Sequence, residues 1–100
     1  MSPVFEWDVK KAQTNLEKHK VSFQEAVTVF RDTSARVFDD PDHSNGELLE
    51  VIVGHSARDR LLVVSFTERI EGRIRIISAR KADRRERNEY EENFQSEKEG

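Results

Sequence analysis

Cationic side chains and a carboxylate that could bind and cleave a phosphate ester are concentrated in residues 67–69 and 73–81. Arginine presents a planar, permanently charged set of N–H donors that matches phosphate oxygens. Residues of a strand alternate between its two faces, so we expect one face of the strand 73–80 to carry Ile74, Ile76, Ser78 and Arg80, and the other Arg73, Arg75, Ile77 and Ala79. Both faces then combine apolar and cationic groups, which is not the pattern of a strand that only buries one side.

These arginines have two possible uses. Arg75 and Arg80 could pair with nearby carboxylates such as Glu68 and Glu86, which would make them structural. They could instead bind RNA, whose cleavage needs a group that takes the 2′-hydroxyl proton, charge that stabilises the transition state, and an acid for the 5′-oxygen. Glu68, the arginines and Tyr90 have the chemistry for these roles.

The charge of the chain is distributed unevenly. The net charge of −3 argues against a polyanionic partner, but residues 58–87 hold ten Lys and Arg against five acids, whereas residues 88–100 hold five Glu against one Lys. A basic segment flanked by acidic ones can bind a polyanion even where the whole chain is negative. A solvated surface of ion pairs is the alternative explanation.

Several kinds of chemistry are excluded or disfavoured by what the chain lacks. It has no cysteine, so disulfides, thiolate zinc sites and cysteine nucleophiles are excluded. The acidic segment 39–43, which ends in His43, has an ordinary loop composition, and no Gly-x-Ser-x-Gly nucleophile elbow is present. We therefore expect neither a metal nor a cofactor. His19 could cap the end of a helix or take part in catalysis, and His55 has the position of a strand-edge residue.

The length and pattern of the chain predict one α+β domain over residues 1–95, followed by a frayed acidic tail at 96–100. Asp8 is a good N-cap for a helix over 8–18, and Ser22 with Glu25 has the spacing of a capping box that begins a second helix. Strands are expected at 35–38, 48–55, 61–67 and 73–80, and the short turns between them favour an antiparallel sheet. Asp83 and Glu86 repeat the capping-box spacing at the start of a C-terminal helix.

The predicted architecture therefore has two N-terminal helices, a four-stranded antiparallel sheet and a C-terminal helix. Helices would cover one face of the sheet and leave the other available to a nucleic-acid backbone. No apolar run approaches the roughly 18 residues of a membrane span, and the first residues lack the pattern of an export signal. We expect a cytoplasmic protein with no membrane partner.

Five blocks of sequence, in order and with matching spacing, resemble the BrnT toxin family. They are Phe5-Glu6-Trp7-Asp8, residues 18–26 (KHKVSFQEA), residues 40–44 (DPDHS), residues 75–81 (RIISARK), and Glu86-Arg87 with Tyr90-Glu91. The resemblance implies a fold similar to the RelE-like toxins and a ribonuclease toxin of a type II toxin–antitoxin module, which cleaves RNA and inhibits translation and growth. It also implies a partner, a DNA-binding antitoxin of ribbon-helix-helix type, and contact with operator DNA only through that antitoxin.

Two alternatives to an active toxin stay open at this point. A protein of the same fold could have lost catalysis and act only within an autoregulatory repressor complex. An independent DNA-binding module is less favoured, because no helix offers a row of base-reading side chains on an exposed face.

The resemblance, together with the charge pattern, gives candidate site residues. Those expected to act in catalysis are Glu68, Arg69, Arg80, Tyr90 and His19. Those expected to bind RNA are Lys18, Arg73, Arg75, Ser78, Lys81 and Arg84. Two positions depart from the family. Lys20 stands where glycine commonly follows Lys-His, and a left-handed lysine there would cost on the order of 1 kcal/mol. Asp83 stands where threonine is frequent, and both residues are good N-caps.

Overall fold

The computed structural model describes residues 3–40 and 49–99, with side chains up to residue 92. Its elements in chain order are β1 (Val4–Glu6), α1 (Val9–His19), α2 (Phe23–Thr28), a single 3-10 turn (Val29–Arg31), β2 (Arg36–Asp39), β3 (Glu50–His55), β4 (Leu61–Ile70), β5 (Arg73–Lys81) and α3 (Arg84–Glu99). The predicted α+β class and both N-terminal helices are confirmed. Leu48, the predicted first residue of the third strand, and His43 lie outside the described residues.

The sheet has five strands in the order β1-β5-β4-β3-β2, and it is mixed. Four strands pair antiparallel as predicted, but β1 lies parallel to β5, with Val4 opposite Arg73 and Glu6 opposite Arg75. The prediction of a four-stranded, purely antiparallel sheet was therefore wrong. A three-residue strand has too little pattern to be recognised, and its pairing with a strand almost seventy residues later has no local signal.

The core lies between one face of this sheet and the helices α1 and α2. Its largest fully buried side chains include Phe23, Leu62 and Ile76. Phe30 links the layers, because its ring lies 5.1 Å from the ring of Phe5 and 5.1 Å from that of Phe66, measured between centroids. Aromatic rings at such distances contribute beyond the area that they bury, so the N-terminal strand is held by packing as well as by backbone pairing.

A β-bulge in β5 changes which of its residues share a face. Ser65 pairs with Ser78 whereas Phe66 pairs with Ile76, so Ile77 is the extra residue. The prediction of strict alternation was therefore wrong beyond Ile76. The core face carries Ile74, Ile76 and Ala79, and the opposite face carries Arg73, Arg75, Ser78 and Arg80. The bulge thus places the three arginines of β5 on one face and Ile74, Ile76 and Ala79 on the other.

Asn15 joins α1 to the edge of β5 beyond the end of β1. Its Nδ2 donates to the carbonyl oxygen of Ala79 at 2.8 Å and to that of Val21 at 2.9 Å, and its Oδ1 accepts from the N–H of Ala79 at 3.1 Å. The side-chain amide replaces a neighbouring strand at this residue, and its buried polar atoms are all satisfied. The same amide also holds the connection between α1 and α2.

The helix ends follow the sequence prediction in part. The Asp8 carboxylate accepts hydrogen bonds from the backbone N–H groups of Lys10 and Lys11. Both bonds lower the pKa of Asp8, and the bond from Lys11 has the larger effect. Lys20 is left-handed, with φ 59° and ψ 32°, which is the strained conformation that a glycine would adopt more easily. Its N–H donates to the carbonyl oxygen of Leu16 and ends α1 there.

The predicted capping box at Ser22 is only half formed. The Ser22 hydroxyl accepts from the N–H of Glu25 at 3.0 Å, but the carboxylate of Glu25 does not turn back to the helix start. It is buried and accepts hydrogen bonds from Ser56 Oγ at 2.7 Å and from Arg60 Nε at 2.9 Å and Nη2. A charged partner outweighs a backbone N–H for a buried carboxylate, so Glu25 instead fixes the turn between β3 and β4.

The second capping box, at the start of α3, is confirmed. Glu86 N–H donates to Asp83 Oδ1 at 2.8 Å, and Asp83 N–H donates to Glu86 Oε1 at 2.9 Å. The backbone of α3 is helical up to Glu99 and so includes most of the segment 96–100 that was predicted as a frayed tail. Among the described residues, none of the helices has the length and apolar character needed to cross a membrane.

The contacts of Asn15 predict a large effect on stability. Replacing Asn15 by alanine leaves the N–H and C=O groups of Ala79 without their side-chain partner, and each buried unsatisfied group costs about 1–3 kcal/mol. We expect Asn15→Ala to lower the free energy of unfolding by about 3 kcal/mol, measured by urea denaturation. Gln13→Ala, on the exposed side of the same helix, is the control and should change it by less than about 0.5 kcal/mol. An equal effect of the two substitutions would contradict this role.

The buried pair between Glu25 and Arg60 predicts how stability depends on pH. The hydrogen bond from Arg60 lowers the pKa of Glu25 below its ordinary value of 4.5, against the opposing effect of burial. The stabilisation is therefore present above that value and is lost as the pH falls through the lower value of the folded state. We expect Glu25→Gln to destabilise the protein by about 2 kcal/mol near neutral pH, and this difference to shrink in acid. Glu17→Gln, exposed on α1, should show no such pH dependence in parallel urea titrations.

Candidate functional site

A basic groove runs along the β1 side of the sheet and onto α1. It consists of two adjoining clefts that share Lys11 and Ile77, and the larger has a volume of about 480 Å³. The larger cleft is lined by Glu6, Lys11, Thr67, Arg69, Ile70, Arg73, Arg75 and Ile77. The smaller is lined by Lys10, Lys11, Thr14, Asn15, Lys18, His19, Ile77 and Ser78. Cationic side chains from two strands and one helix thus face a common depression.

The strand part of the groove is built from cross-strand neighbours. Glu6 on β1 is opposite Arg75 on β5, and Arg75 is opposite Thr67 on β4, so these three side chains form a row on one face of the sheet. Glu6 Oε2 lies 3.2 Å from Arg75 Nη1, and Glu6 Oε1 lies 3.6 Å from Arg73 Nε. The three partners stay between 38% and 58% exposed, which leaves them accessible to a ligand.

The helical part of the groove is positioned by Asn15. Because Asn15 is bonded to Ala79 on β5, the residues one turn before and after it lie beside that strand. Lys11 and Lys18 therefore border the bulged residue Ile77 and its neighbour Ser78. Lys18 and His19 also occupy the last turn of α1, where positive charge interacts favourably with the helix dipole.

The groove brings together most of the residues that the sequence proposed for phosphate contact. From the predicted catalytic set it contains Arg69 and His19, and from the predicted RNA-binding set it contains Lys18, Arg73, Arg75 and Ser78. The other predicted site residues lie elsewhere or have another partner: Glu68, Arg80, Tyr90, Lys81 and Arg84.

Glu68 is exposed in the hairpin between β4 and β5. Its Oε2 accepts a hydrogen bond from the N–H of Gly72 at 2.8 Å, and Gly72 is left-handed with φ 84°. The carboxylate thus closes the turn, and Glu68 is not among the residues that line the groove. Its assignment as proton acceptor stays a prediction.

Arg80 is held in a two-point ion pair with Glu86. Arg80 Nη1 and Nη2 donate to the two carboxylate oxygens of Glu86, both at 2.7 Å. These bonds raise the pKa of Arg80, and the hydrogen bonds from Arg80 lower the pKa of Glu86. The sequence left open whether arginines of this strand pair with carboxylates, and for Arg80 the partner is Glu86. Arg75 also has an acidic partner, but it is Glu6 and not Glu68.

Tyr90 belongs to a cluster with Asp32 and His55, away from the basic groove. Its hydroxyl donates to Asp32 Oδ2 at 3.3 Å, and its ring lies 5.5 Å from that of His55 in an edge-to-face arrangement. Burial and the Asp32 carboxylate raise the pKa of Tyr90. Burial also acts to raise the pKa of Asp32, but N–H groups of His55 and Ser34 outweigh it and the pKa is lowered. Tyr90 is thus a neutral donor to a charged acceptor, outside the basic groove.

Lys81 and Arg84 lie near the junction of β5 and α3, where both are exposed. Lys81 pairs in register with Leu62, and neither residue lines the basic groove. The structure therefore does not bring them together with Arg73 and Arg75. Their contact with RNA stays a prediction.

Sequence reasoning missed three charged residues of the groove, namely Glu6, Lys10 and Lys11. The two lysines follow the N-cap Asp8, and the signal that could have identified them is their position about two turns before Lys18 on the same helix. Glu6 had no comparable signal, because its neighbours in the groove come from β5. Among the described residues, no group of three or more histidines or acids is arranged to hold a metal ion.

Comparisons with known proteins agree with this fold and these motifs. A comparison with curated protein sequences gave no significant match. The crystal structure of the Brucella abortus ribonuclease toxin BrnT superposes with a TM-score of 0.62 at 23% sequence identity, covering 84% of this chain and 100% of that chain, and shows that the two share a fold. The profile of the family described as ribonuclease toxin, BrnT, of type II toxin–antitoxin system matches residues 7–86. Since this match spans most of the sequence, the chain belongs to the BrnT family of ribonuclease toxins of type II toxin–antitoxin systems.

Proposed function

We propose that this protein is a metal-independent endoribonuclease that binds the RNA backbone in the basic groove. The observation that supports this proposal is the convergence of Lys11, Arg69, Arg73 and Arg75 in one accessible cleft. These cations come from three separate elements of the fold, so their proximity is a product of the tertiary structure. Arginine forks and lysine ammonium groups are the side chains that bind phosphate most effectively.

The groove accounts for how an acidic protein can bind RNA. The net charge of the chain is −3, which would repel a polyanion if it were spread evenly. Local potential is set by charges within about 10 Å at ordinary ionic strength, and over that range the groove presents several cations and one carboxylate. The groove thereby attracts RNA at the place where cleavage would occur.

The proposed reaction is attack of the RNA 2′-oxygen on the adjacent phosphorus. Charge accumulates on the phosphate oxygens in the transition state, and preorganised N–H donors stabilise it there. Arg73 and Arg75 can supply these donors from a rigid strand, with Arg69 beside them in the same cleft. Proton transfer to and from the 2′- and 5′-oxygens requires acid–base groups, for which the sequence-based candidates are Glu68, Tyr90 and His19.

In the cell, the proposed activity cleaves RNA in the cytoplasm, stops translation and arrests growth. A protein antitoxin neutralises it, in keeping with the type II family. We propose that this antitoxin is of the ribbon-helix-helix type, so that the chain meets operator DNA only through it. The alternative is an inactive protein that acts only within the repressor complex, and it differs from the toxin in leaving RNA intact.

The first test is cleavage of RNA by the purified chain. A labelled single-stranded oligoribonucleotide should be cut in the presence of EDTA, since the cationic side chains take the place of a metal in neutralising the phosphate. The same oligonucleotide carrying 2′-O-methyl groups should stay intact because it has no attacking hydroxyl.

The second test is controlled expression in a bacterial host, which should stop growth and deplete RNA together. A folded protein that leaves RNA and growth unaffected would instead support the inactive repressor component.

The groove also predicts which charges affect RNA affinity. Arg75→Gln should weaken binding of a 2′-O-methyl oligonucleotide several-fold, and it should make the plot of log K against log salt concentration shallower by about 0.7, the value for one phosphate contact in a single strand. Arg31→Gln removes an exposed cation outside the groove and is the matched control. Equal changes in the two variants, measured by fluorescence anisotropy, would show that affinity reports overall charge and not this groove.

A further inference from the structure

We propose that Glu6 is the general base of the cleavage reaction, an inference that rests on the proposed ribonuclease function. Glu6 is the one carboxylate among the described residues that line the basic groove. General acid–base catalysis requires the base to lie within hydrogen-bond reach of the proton that it takes, so its position matters before its strength. The phosphate-binding arginines are its direct neighbours.

The position of Glu6 is fixed by the sheet. It is the last residue of β1 and is paired in parallel register with Arg75 on β5. The adjacent Phe5 points to the core, where its ring packs on that of Phe30. A side chain on a strand held by backbone pairing and by a packed neighbour is better preorganised for catalysis than one in a loop.

The contacts of Glu6 place its carboxylate beside the arginines that would hold a phosphate. Its two oxygens lie 3.2 Å from Arg75 Nη1 and 3.6 Å from Arg73 Nε. An arginine has five N–H donors, so each guanidinium can contact Glu6 and a phosphate at once. A phosphate held by these arginines then presents the 2′-hydroxyl on its 3′-linked ribose close to the Glu6 carboxylate, which is 38% exposed.

Glu68, the carboxylate that the sequence suggested, has a different environment. It is exposed, and its carboxylate is engaged by the N–H of Gly72 in the hairpin turn. That partner is only four positions later in the chain, so the interaction is local to the turn. Glu6 instead contacts Arg73 and Arg75, and it lines the same cleft as Arg69 from β4 and Lys11 from α1.

The step balances as an internal transfer within RNA. Glu6 takes the proton of the 2′-hydroxyl as the 2′-oxygen forms a bond to phosphorus. The bond between phosphorus and the 5′-oxygen breaks, and its electron pair goes to the 5′-oxygen, which takes a proton from water. The products are a 2′,3′-cyclic phosphate and a 5′-hydroxyl, and Glu6 then returns its proton to solvent.

The test compares the kinetic constants of the wild-type chain with those of its Glu6→Gln variant on a labelled oligoribonucleotide. Loss of a general base should lower kcat by about 100-fold or more, whereas removal of a negative charge beside the phosphate should leave KM unchanged or lower it. The acid limb of the pH profile of kcat/KM should disappear in Glu6→Gln. Glu6→Asp keeps the carboxylate on a side chain that is one methylene group shorter. This variant should therefore retain the acid limb of the pH profile but have a lower kcat.

The controls separate catalysis from folding and from overall charge. Glu71→Gln removes an exposed carboxylate of the β4–β5 turn and should leave kcat and KM as in the wild type. Thermal unfolding of each variant verifies the fold.

Two results for Glu6→Gln would overturn the assignment: cleavage with an unchanged kcat, or a raised KM as the only change. A residue that merely positions arginines changes binding and not the chemical step. A loss of kcat and of the acid limb in Glu68→Gln, but not in Glu6→Gln, would overturn it as well. Absence of cleavage by the wild type would contradict the proposed function itself.

Discussion

The side-chain amide of Asn15 is the contact on which the arrangement of this fold depends. By pairing with both backbone groups of Ala79, it extends the sheet past the end of the short strand β1. It holds the α1–α2 connection through Val21 with the same amide. Since one buried group satisfies three backbone partners, α1 has a single position along β5. That position brings the lysines of the helix next to the arginines of the strand.

The β-bulge at Ile77 is the second constraint, and it acts on chemistry as well as on shape. Without an extra residue, the alternation of β5 would send Ser78 and Arg80 into the core and Ala79 out of it. The bulge restores a consistent division, with apolar residues under α1 and α2 and cationic residues on the opposite face. Bulges are common next to active sites because they redirect side chains, and here Ile77 itself borders both clefts of the basic groove.

The carboxylates show how the same side chain serves different purposes in different surroundings. Glu25 and Glu86 are each occupied by an arginine and stabilise a turn and a helix start. Glu68 closes a hairpin. Glu6 also contacts arginines, but in an accessible cleft where its partners have donors to spare. Charge pairing therefore fixes a turn and a helix start in the first two cases, whereas on the groove it gathers the groups that an RNA phosphate would meet.

The sequence by itself determined the α+β class, both N-terminal helices, four strands and the family, because periodicity, capping residues and motif spacing are local properties. It also gave Arg73, Arg75, Lys18 and His19 as candidate site residues, because they lie in contiguous motifs. Only the tertiary structure decided that β1 joins the sheet, that Ile77 is a bulge and that Glu6 lies among the arginines. Each of these depends on pairing between residues far apart in the chain, and such pairing is selected by the whole sheet and core.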